Sequence, residues 1–530
     1  MVSHQNGSYT SWYERQKVNR TTELTFLDEM PAPNQEAEPG LFCDAHHLYQ
    51  TLPDEKGRTS WSEDPPKHVF KPAENSLSLK KALLVRWVKC YDGKRSLEID
   101  SIVIQSQLLK DFLAKVMDGY PGLTFTLARV EFKRPFKPFV HRWTKFCEGK
   151  DNVQDPKAKS HVDLLYGILN EELRDLIAEK SDLLKSGVIT HKLLWALFEP
   201  GTLIFSVVEA RQRAFSFKSG DYDEQSRKFE IRAHYIDWEG TRFGYRSNCL
   251  VIEPYEGTSS IRNLSVFPLA YHLNPDQVSM ALSTRGKLWA SYKGYHYKYY
   301  EGLAKGYSED LERDMKFKID GRVVIDAEAF NTFDPENEIT VSGTLSEPLS
   351  TRQLMISNPI LRGYALKEKM WLEFFIDGLR DITWNSNAFA SLVLPRAQQD
   401  LKKLILGFVR AQSNHCDKFD DIIQGKGRGV IMLLRGPPGV GKTLTAESVA
   451  EVMKVPLYTL SAGDLGTTAS KVENSLREIL KMVPRWKAII LLDEADVFME
   501  ARDTIDLQRN ELVTIFLRLL EYYEVRGTYP

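Results

Sequence analysis

The sequence predicts a multidomain chain in which an α+β amino-terminal domain is followed by an incomplete α/β domain built on a parallel sheet. Three observations carry this. Between residues 80 and 330 helical periodicity gives way to alternating, turn-punctuated segments; residues 430–453 read as apolar run, glycine-rich turn and helix; residues 488–494 read as a buried strand closed by two carboxylates. A length of 530 residues suggests about two to four domains, and a 42% hydrophobic content supplies ordinary cores.

The balance of 70 Lys plus Arg against 72 Asp plus Glu leaves no global field to gather polyanions or anionic lipid, so any nucleic-acid site has to be local. Cys43, Cys90, Cys147, Cys249 and Cys416 are scattered and odd in number, which argues against a disulfide framework and for a reducing compartment. Cys43 with His46 and His47 lacks a second ligand pair at zinc spacing. The first residues contain no apolar leader core, and no run reaches membrane-spanning length. The expectation is an intracellular protein without a membrane span, cytoplasmic, with the nucleus as the alternative.

In chain order, residues 1–75 are polar and Pro/Glu/Asp-punctuated, too poor in periodic apolar positions to offset the entropy of ordering, and predict a disordered tail. Residues 76–330 form the α+β domain. "LEIDSIVIQS" predicts a strand with Leu97, Ile99 and Val103 on one face and Ile102 and Ile104 on the other. "QLLKDFLAKVMDGYPG" predicts a helix stopping at Gly119 and Pro121, and residues 160–197 two more. Beyond Pro200, "TLIFSVVEAR", "KFEIRAHYIDW", "FGYRSNCLVIEPY" and "SIRNLSVFPLAY" read as strands. Residues 331–355 read as an acidic linker, 356–395 as a connector, and 396–530 as the α/β domain, entered by a helix whose Leu401, Leu404, Ile405 and Phe408 make one stripe.

The chemistry lies in that last region. "GPPGVGKT", Gly436 to Thr443, fits G-x-x-x-x-G-K-[ST], a string that chance gives at roughly 0.02 per chain of this size at ordinary residue usage. Its position between the apolar run Val430–Leu434 and a helix lowers those odds further. Glycines let backbone N–H groups converge on phosphates, the helix N-terminus adds its dipole, Lys442 reaches the terminal phosphates, and Thr443 offers a hydroxyl to Mg²⁺. The strand Ala488–Leu492 ends in Asp493 and Glu494, where open α/β sheets bind ligands: Asp493 holds Mg²⁺ and Glu494 polarises the attacking water.

"RGPPGVGKTLTAESVAE" and "IILLDEAD" resemble the AAA branch of P-loop NTPases, and "LRGYALKEKMWLEFF", "ITWNSNAFASLVLP", "FDDIIQGKGRG" and "DLQRNELVTIFLRLLEYYE" narrow the resemblance to fungal AAA-type ATPases with a long uncharacterised amino-terminal region. The resemblance implies ATP and Mg²⁺ as cofactors. It places Gly436, Pro437, Pro438, Gly439, Val440, Gly441, Lys442, Thr443, Leu444 and Asp493 at the nucleotide, Thr443 and Asp493 on the metal, and Lys442 and Glu494 in catalysis. "DIIQGKG" is similar to the adenine-lining segment, which carries over to Ile422, Ile423 and Gly425. It further implies a homo-oligomer, a hexamer in intact relatives, acting on an unknown protein substrate by remodelling. Where threading members carry an aromatic loop residue, Leu465, Gly466 and Thr467 stand here, which disfavours a threading motor.

The same resemblance implies a sheet ordered 5-1-4-3-2, with a central strand after the helix bearing Leu512, Ile515, Phe516, Leu519 and Tyr523. The residues that follow, "EVRGTYP", are polar, with Gly527 inside and Pro530 at the end, and cannot serve as a central strand. The expectation is a truncated ATPase domain that records nucleotide-contact chemistry without steady turnover, lacking the sensor, the arginine finger and the helical lid. Two rival readings are a non-catalytic scaffold whose residues 80–330 recognise a partner, and a nucleic-acid remodeller using the cations Arg129 to Lys145 interleaved with Phe132, Phe136, Phe139, Trp143 and Phe146. The second is disfavoured, because those aromatics at helical spacing read as core with a solvated basic edge. "YKGYHYKYYEG" reads as a half-buried strand.

Overall fold

The computed structural model describes residues 49–50, 61–62, 81–89, 97–127, 129–308, 313–385, 387–389, 400, 402–405, 407, 431–437, 439–465, 468–495, 511, 513–515 and 517–518. The chain divides into two units, residues 1–80 and 81–530. In the first, β1 (Tyr49–Gln50) and β2 (Trp61–Ser62) pair antiparallel, Tyr49 opposite Ser62. The rest of the expected tail lies outside the described residues, as do Cys43, His46, His47, Cys90 and Cys416.

The second unit opens with an antiparallel sheet of β3 (Leu83–Lys89), β4 (Leu97–Ile104) and β5 (Val130–Lys133), in that order. It is covered by α1 (Gln107–Val116), α2 (Lys137–His141), α3 (Trp143–Asp151) and α4 (Pro156–Lys185). Ser106 caps α1 by accepting from the Leu109 amide, and Asp155 caps α4 with Pro156 in the first turn. Val162, Leu165, Leu169 and Leu173 form the buried stripe of α4, which ends at Lys185, ahead of the Ser186-Gly187 pair expected to separate the two helices of residues 160–197. The face assignment for β4 is corrected. Arg86 lies opposite Ser101 and Trp87 opposite Ile99, so Asp100 is bulged out, the alternation inverts, and Ile99 joins Ile102 and Ile104 in one core. Phe132, Phe136, Phe139 and Phe146 are buried in that core too, so their faces are not free for bases to stack on.

After β6 (Val188–Thr190) and α5 (Leu194–Leu197) come β7 (Leu203–Val208), β8 (Arg211–Tyr222), β9 (Phe229–Trp238), β10 (Phe243–Ile252), β11 (Thr258–Ser260) and β12 (Val266–Pro268). Five of these make an antiparallel sheet ordered β10-β9-β8-β7-β12, with β11 pairing β6. The helix α6 (Pro275–Ser291) leads into a long hairpin, β13 (His296–Ser308) and β14 (Arg313–Ile325), followed by α7 (Ala327–Phe333), α8 (Thr351–Met355), β15 (Ile360–Ala365), β16 (Met370–Phe375) and β17 (Leu379–Arg380). β14 pairs β15, β15 pairs β16, and β16 returns to β13 through Ala304 and Phe374, so four strands close into a small barrel with β17 beside β13. Alternation gives the barrel two buried faces: Val323 and Ala365 point into the large core shared with the five-stranded sheet, and Val324 and Tyr364 point the other way.

Residues 331–355, expected as an acidic linker, are packed. Ile339 and Val341 are buried between exposed Glu338 and Thr340, Ser342 exchanges backbone hydrogen bonds with Tyr245, and a Ser350/Gln353 capping box starts α8. Residues 356–395, expected as a connector, supply β15, β16 and β17.

The last part holds α9 (Lys442–Met453), β18 (Leu457–Leu460), α10 (Ala462–Leu465), α11 (Ala469–Arg485) and β19 (Ile489–Leu492). The expected parallel pairing is present, with Leu457 opposite Ile489 and Leu460 opposite Leu492. The expected strand at 430–434 is not: residues 431–434 form no ladder, and Leu433 is 69% exposed. An apolar run becomes a strand only where a neighbour pairs its backbone, and among the described residues none does. Residues 521–530 lie outside the described residues.

Candidate nucleotide site

The phosphate-loop motif forms a turn held open by glycine. Gly439 at φ 81° and Gly441 at φ 89° take left-handed backbone that other residues adopt at a cost, and Gly441 caps α9 with no side chain over the first turn. The leading amides of α9 are thus free of a side-chain cap, at the positive end of its dipole. Lys442 folds back over the loop, its Nζ donating to the carbonyls of Gly436 at 2.9 Å and Pro437 at 3.0 Å. A triphosphate at this turn would meet the ammonium and the amides together.

Across from the loop, Asp493 extends the parallel ladder by donating its N–H to the Leu460 carbonyl at 2.8 Å. Its Oδ2 lies 3.4 Å from Thr443 Oγ1, and its Oδ1 accepts the Glu494 N–H at 3.1 Å. The structure therefore brings Thr443 and Asp493, drawn from different elements, into one pair of hard oxygen donors, which suits a cation that takes one or two protein oxygens and completes its shell with phosphate and water. Glu494 is exposed and its φ of 54° bends the chain off the strand direction. Val440 and Leu444 are exposed at the turn. Pro438, Ile422, Ile423 and Gly425 lie outside the described residues, as do Gly466 and Thr467.

Sequence reasoning missed what holds these elements. Arg322 on β14 pairs with Glu451 on α9, whose second carboxylate oxygen accepts the Asn385 amide at 3.1 Å. Asp326, 2% exposed, accepts from Arg485 Nε at 2.9 Å and Trp486 Nε1 at 3.1 Å while capping α7 through the Ala329 amide. Tyr364 and Tyr458 share a hydroxyl hydrogen bond of 2.9 Å, and Lys369 pairs with Asp464. Around these contacts Val324, Tyr364 and Leu366 of the barrel form one core with Tyr458, Leu460, Val472, Leu476, Met482, Val483 and Trp486. The nearest sequence signal was Arg485-Trp486, a bulky cation and aromatic just ahead of an apolar strand.

Residues 432–528 match the ATPase family associated with various cellular activities (AAA), and residues 179–273 match a domain of unknown function, DUF7025. The chain is similar to the Lon protease of Salinispora arenicola (strain CNS-205), 28% identical over 156 residues, 25% of this chain and 20% of that one. It is also similar to the mitochondrial Lon protease homolog of Homo sapiens, 28% identical over 143 residues, 23% of this chain and 14% of that one. A third relative, the ATP-dependent zinc metalloprotease FtsH 2 of Phytoplasma mali (strain AT), is 35% identical over 85 residues, 15% of this chain and 12% of that one. The chain thus spans a fifth or less of the length of these relatives. No solved structure matches it. An AAA ATPase domain occupies the carboxy-terminal part of the chain, behind a mixed α/β region that includes DUF7025. Among the described residues no helix is long and apolar enough to cross a membrane.

Proposed function

We propose that this chain binds Mg-ATP through its AAA domain and that ATP hydrolysis, where it occurs, drives remodelling of a protein or complex. The observation that carries the reading is the approach of Thr443 Oγ1 and Asp493 Oδ2 to 3.4 Å beside a turn whose glycines and Lys442 are set for phosphate. Lys442 neutralises the terminal phosphates, the α9 amides receive phosphate oxygens, Thr443 and Asp493 hold Mg²⁺, and Glu494 orients water. Ile422, Ile423 and Gly425 are the proposed adenine contacts, a homo-oligomer the proposed assembly, and an intracellular compartment the proposed setting. The test is titration of a fluorescent ATP analogue with and without Mg²⁺: binding strengthened by Mg²⁺ and lost in Lys442→Ala supports the reading, and equal binding by the variant defeats it.

One observation favours a second reading, a module that holds nucleotide without turnover inside an interaction protein. Among the described residues the run entering the loop, 431–434, is exposed and joins no ladder, so none of them gives the loop the rigid strand that in-line attack demands. Binding without phosphate release in a steady-state assay selects this reading over the enzyme.

A further inference from the structure

The two halves of the Mg²⁺ site reach one another by different routes. Thr443 stands at the start of α9, and Asp493 at the end of β19, and among the described residues no strand pairing joins the two elements; beyond the long Thr443–Asp493 contact, Val449, Val452 and Met453 of α9 share one small apolar cluster with Ile489, Phe389 and Ile405. Apolar contact of this kind sets a separation loosely, since it has no directional preference. Directional contacts within the ATPase elements run indirectly, from α9 through the Val455 N–H on the Ala450 carbonyl into β18 and from there through the ladder to β19; two charged contacts from outside these elements brace both ends of that path. On one side, Glu451 near the far end of α9 is fixed by Arg322, whose guanidinium also stacks 5.0 Å over Trp384. On the other, Arg485 and Trp486, at the turn that launches β19, are fixed by Asp326. Arg322 and Asp326 belong to the same stretch of backbone, the end of β14 and the cap that follows it, locked into the barrel by pairing to β13 and β15.

We infer that this end of β14 is a splint for the nucleotide site: Arg322 and Asp326 are positioning residues that set the reach between Thr443 and Asp493, so that the amino-terminal barrel governs Mg²⁺ affinity. The inference rests on the Mg-ATP reading above and adds to it a control point in a part of the chain that touches no nucleotide. Phosphate contacts by Lys442 and the α9 amides lie on one element only and do not depend on the splint, whereas the metal needs both elements at once. Weakening the splint therefore separates two quantities that a general loss of stability would lower together. It also makes the barrel the route by which anything bound to the amino-terminal region changes nucleotide affinity, through an element packed against both.

The test uses the full chain. Arg322→Ala and Asp326→Asn, the latter chosen because Asn still caps a helix, are titrated with a fluorescent ATP analogue with and without Mg²⁺. Both are expected to leave Mg²⁺-free affinity within about twofold of the parent while removing a gain of about tenfold from Mg²⁺. Exchanging the charges, Arg322→Glu with Glu451→Arg, restores the gain. In a measurement that needs no nucleotide, amide hydrogen exchange across residues 489–493 becomes about tenfold faster in Asp326→Asn. Affinities with and without Mg²⁺ that fall in parallel, or exchange at 489–493 that does not change, overturn the splint. If the parent and Lys442→Ala bind nucleotide alike, it is the ATP reading that fails, and the exchange measurement decides the splint by itself.

Discussion

Tyr364 and Tyr458 join hydroxyls at 2.9 Å in a buried contact, one ring on barrel strand β15 and the other on ATPase strand β18. Burial pushes the Tyr364 hydroxyl far above its ordinary range, so both rings are neutral at any working pH and the bond is an uncharged one. Tyr364→Phe removes the donor or acceptor and leaves the ring. The expected loss is about 1 kcal/mol in urea unfolding, more if Tyr458 is left unpartnered. A change below a few tenths of that would mean that the two strands are not held by this contact.

Asp237 is fully buried and takes two hydrogen bonds from Arg362, at 2.7 and 3.0 Å, with further bonds from Asn358 and Arg246. Burial alone would raise its carboxyl; the charge and hydrogen bonds of Arg362, then Arg246 and the Trp238 amide, outweigh this and hold it below the usual range. Its contribution is therefore present above the ordinary carboxylate pKa of about 4 and is lost as pH falls through the lower folded value. Asp237→Ala removes two of the hydrogen bonds of buried Arg362 and leaves it the Glu373 carboxylate alone, which should cost about 3 kcal/mol, read by denaturant unfolding at neutral pH.

His141 gives the opposite case of a base. Burial pulls its imidazole down to about 4 from 6.5 against the Trp195 carbonyl and Glu199, with Lys180 and Lys137 adding to the fall. Nε2 donates to that carbonyl at 2.9 Å, which leaves Nδ1 to accept from the Tyr120 hydroxyl at 2.8 Å in the neutral ring. The unfolded chain takes up the proton near 6.5 and the folded chain only near 4, so stability falls as pH drops through that window and levels off below it. The expected total is about 3 kcal/mol. Unfolding followed from pH 7 to 4 in the parent and in His141→Gln should show a smaller decline in the variant.

Gly286 sits inside α6, where alanine is ordinarily worth about 1 kcal/mol more than glycine. Here an added Cβ would come within 2.1 Å of the Leu354 carbonyl oxygen and 2.7 Å of its carbon, backbone atoms that cannot swing aside. Gly286→Ala should destabilise by about 1–3 kcal/mol in thermal or denaturant unfolding, the reverse of its helix propensity.

The phosphate loop, the acidic pair after β19 and most strands of the middle sheet were legible because each is written in consecutive residues: a spacing, an alternation, a turn. The barrel was not, since its closure depends on pairings such as Ala304 with Phe374. Residues 331–355 misled because their acidic surface positions outweighed the short alternation at Ile339 and Val341. Asp100 shows the limit of period-two reasoning, where one bulged residue moves Ile99 to the other face. The contacts of Asp326 with Arg485 and of Tyr364 with Tyr458 span 159 and 94 positions, beyond any local pattern.

The face that α11 and β18 press against the barrel has a practical corollary for anyone dividing the molecule. A piece beginning near residue 396 would carry Tyr458, Leu460, Met482 and Trp486 with their barrel partners gone. Such an uncovered oily face invites self-association, so the excised piece should need detergent, a solubilising fusion or the missing half supplied in trans before its nucleotide affinity can be measured at all.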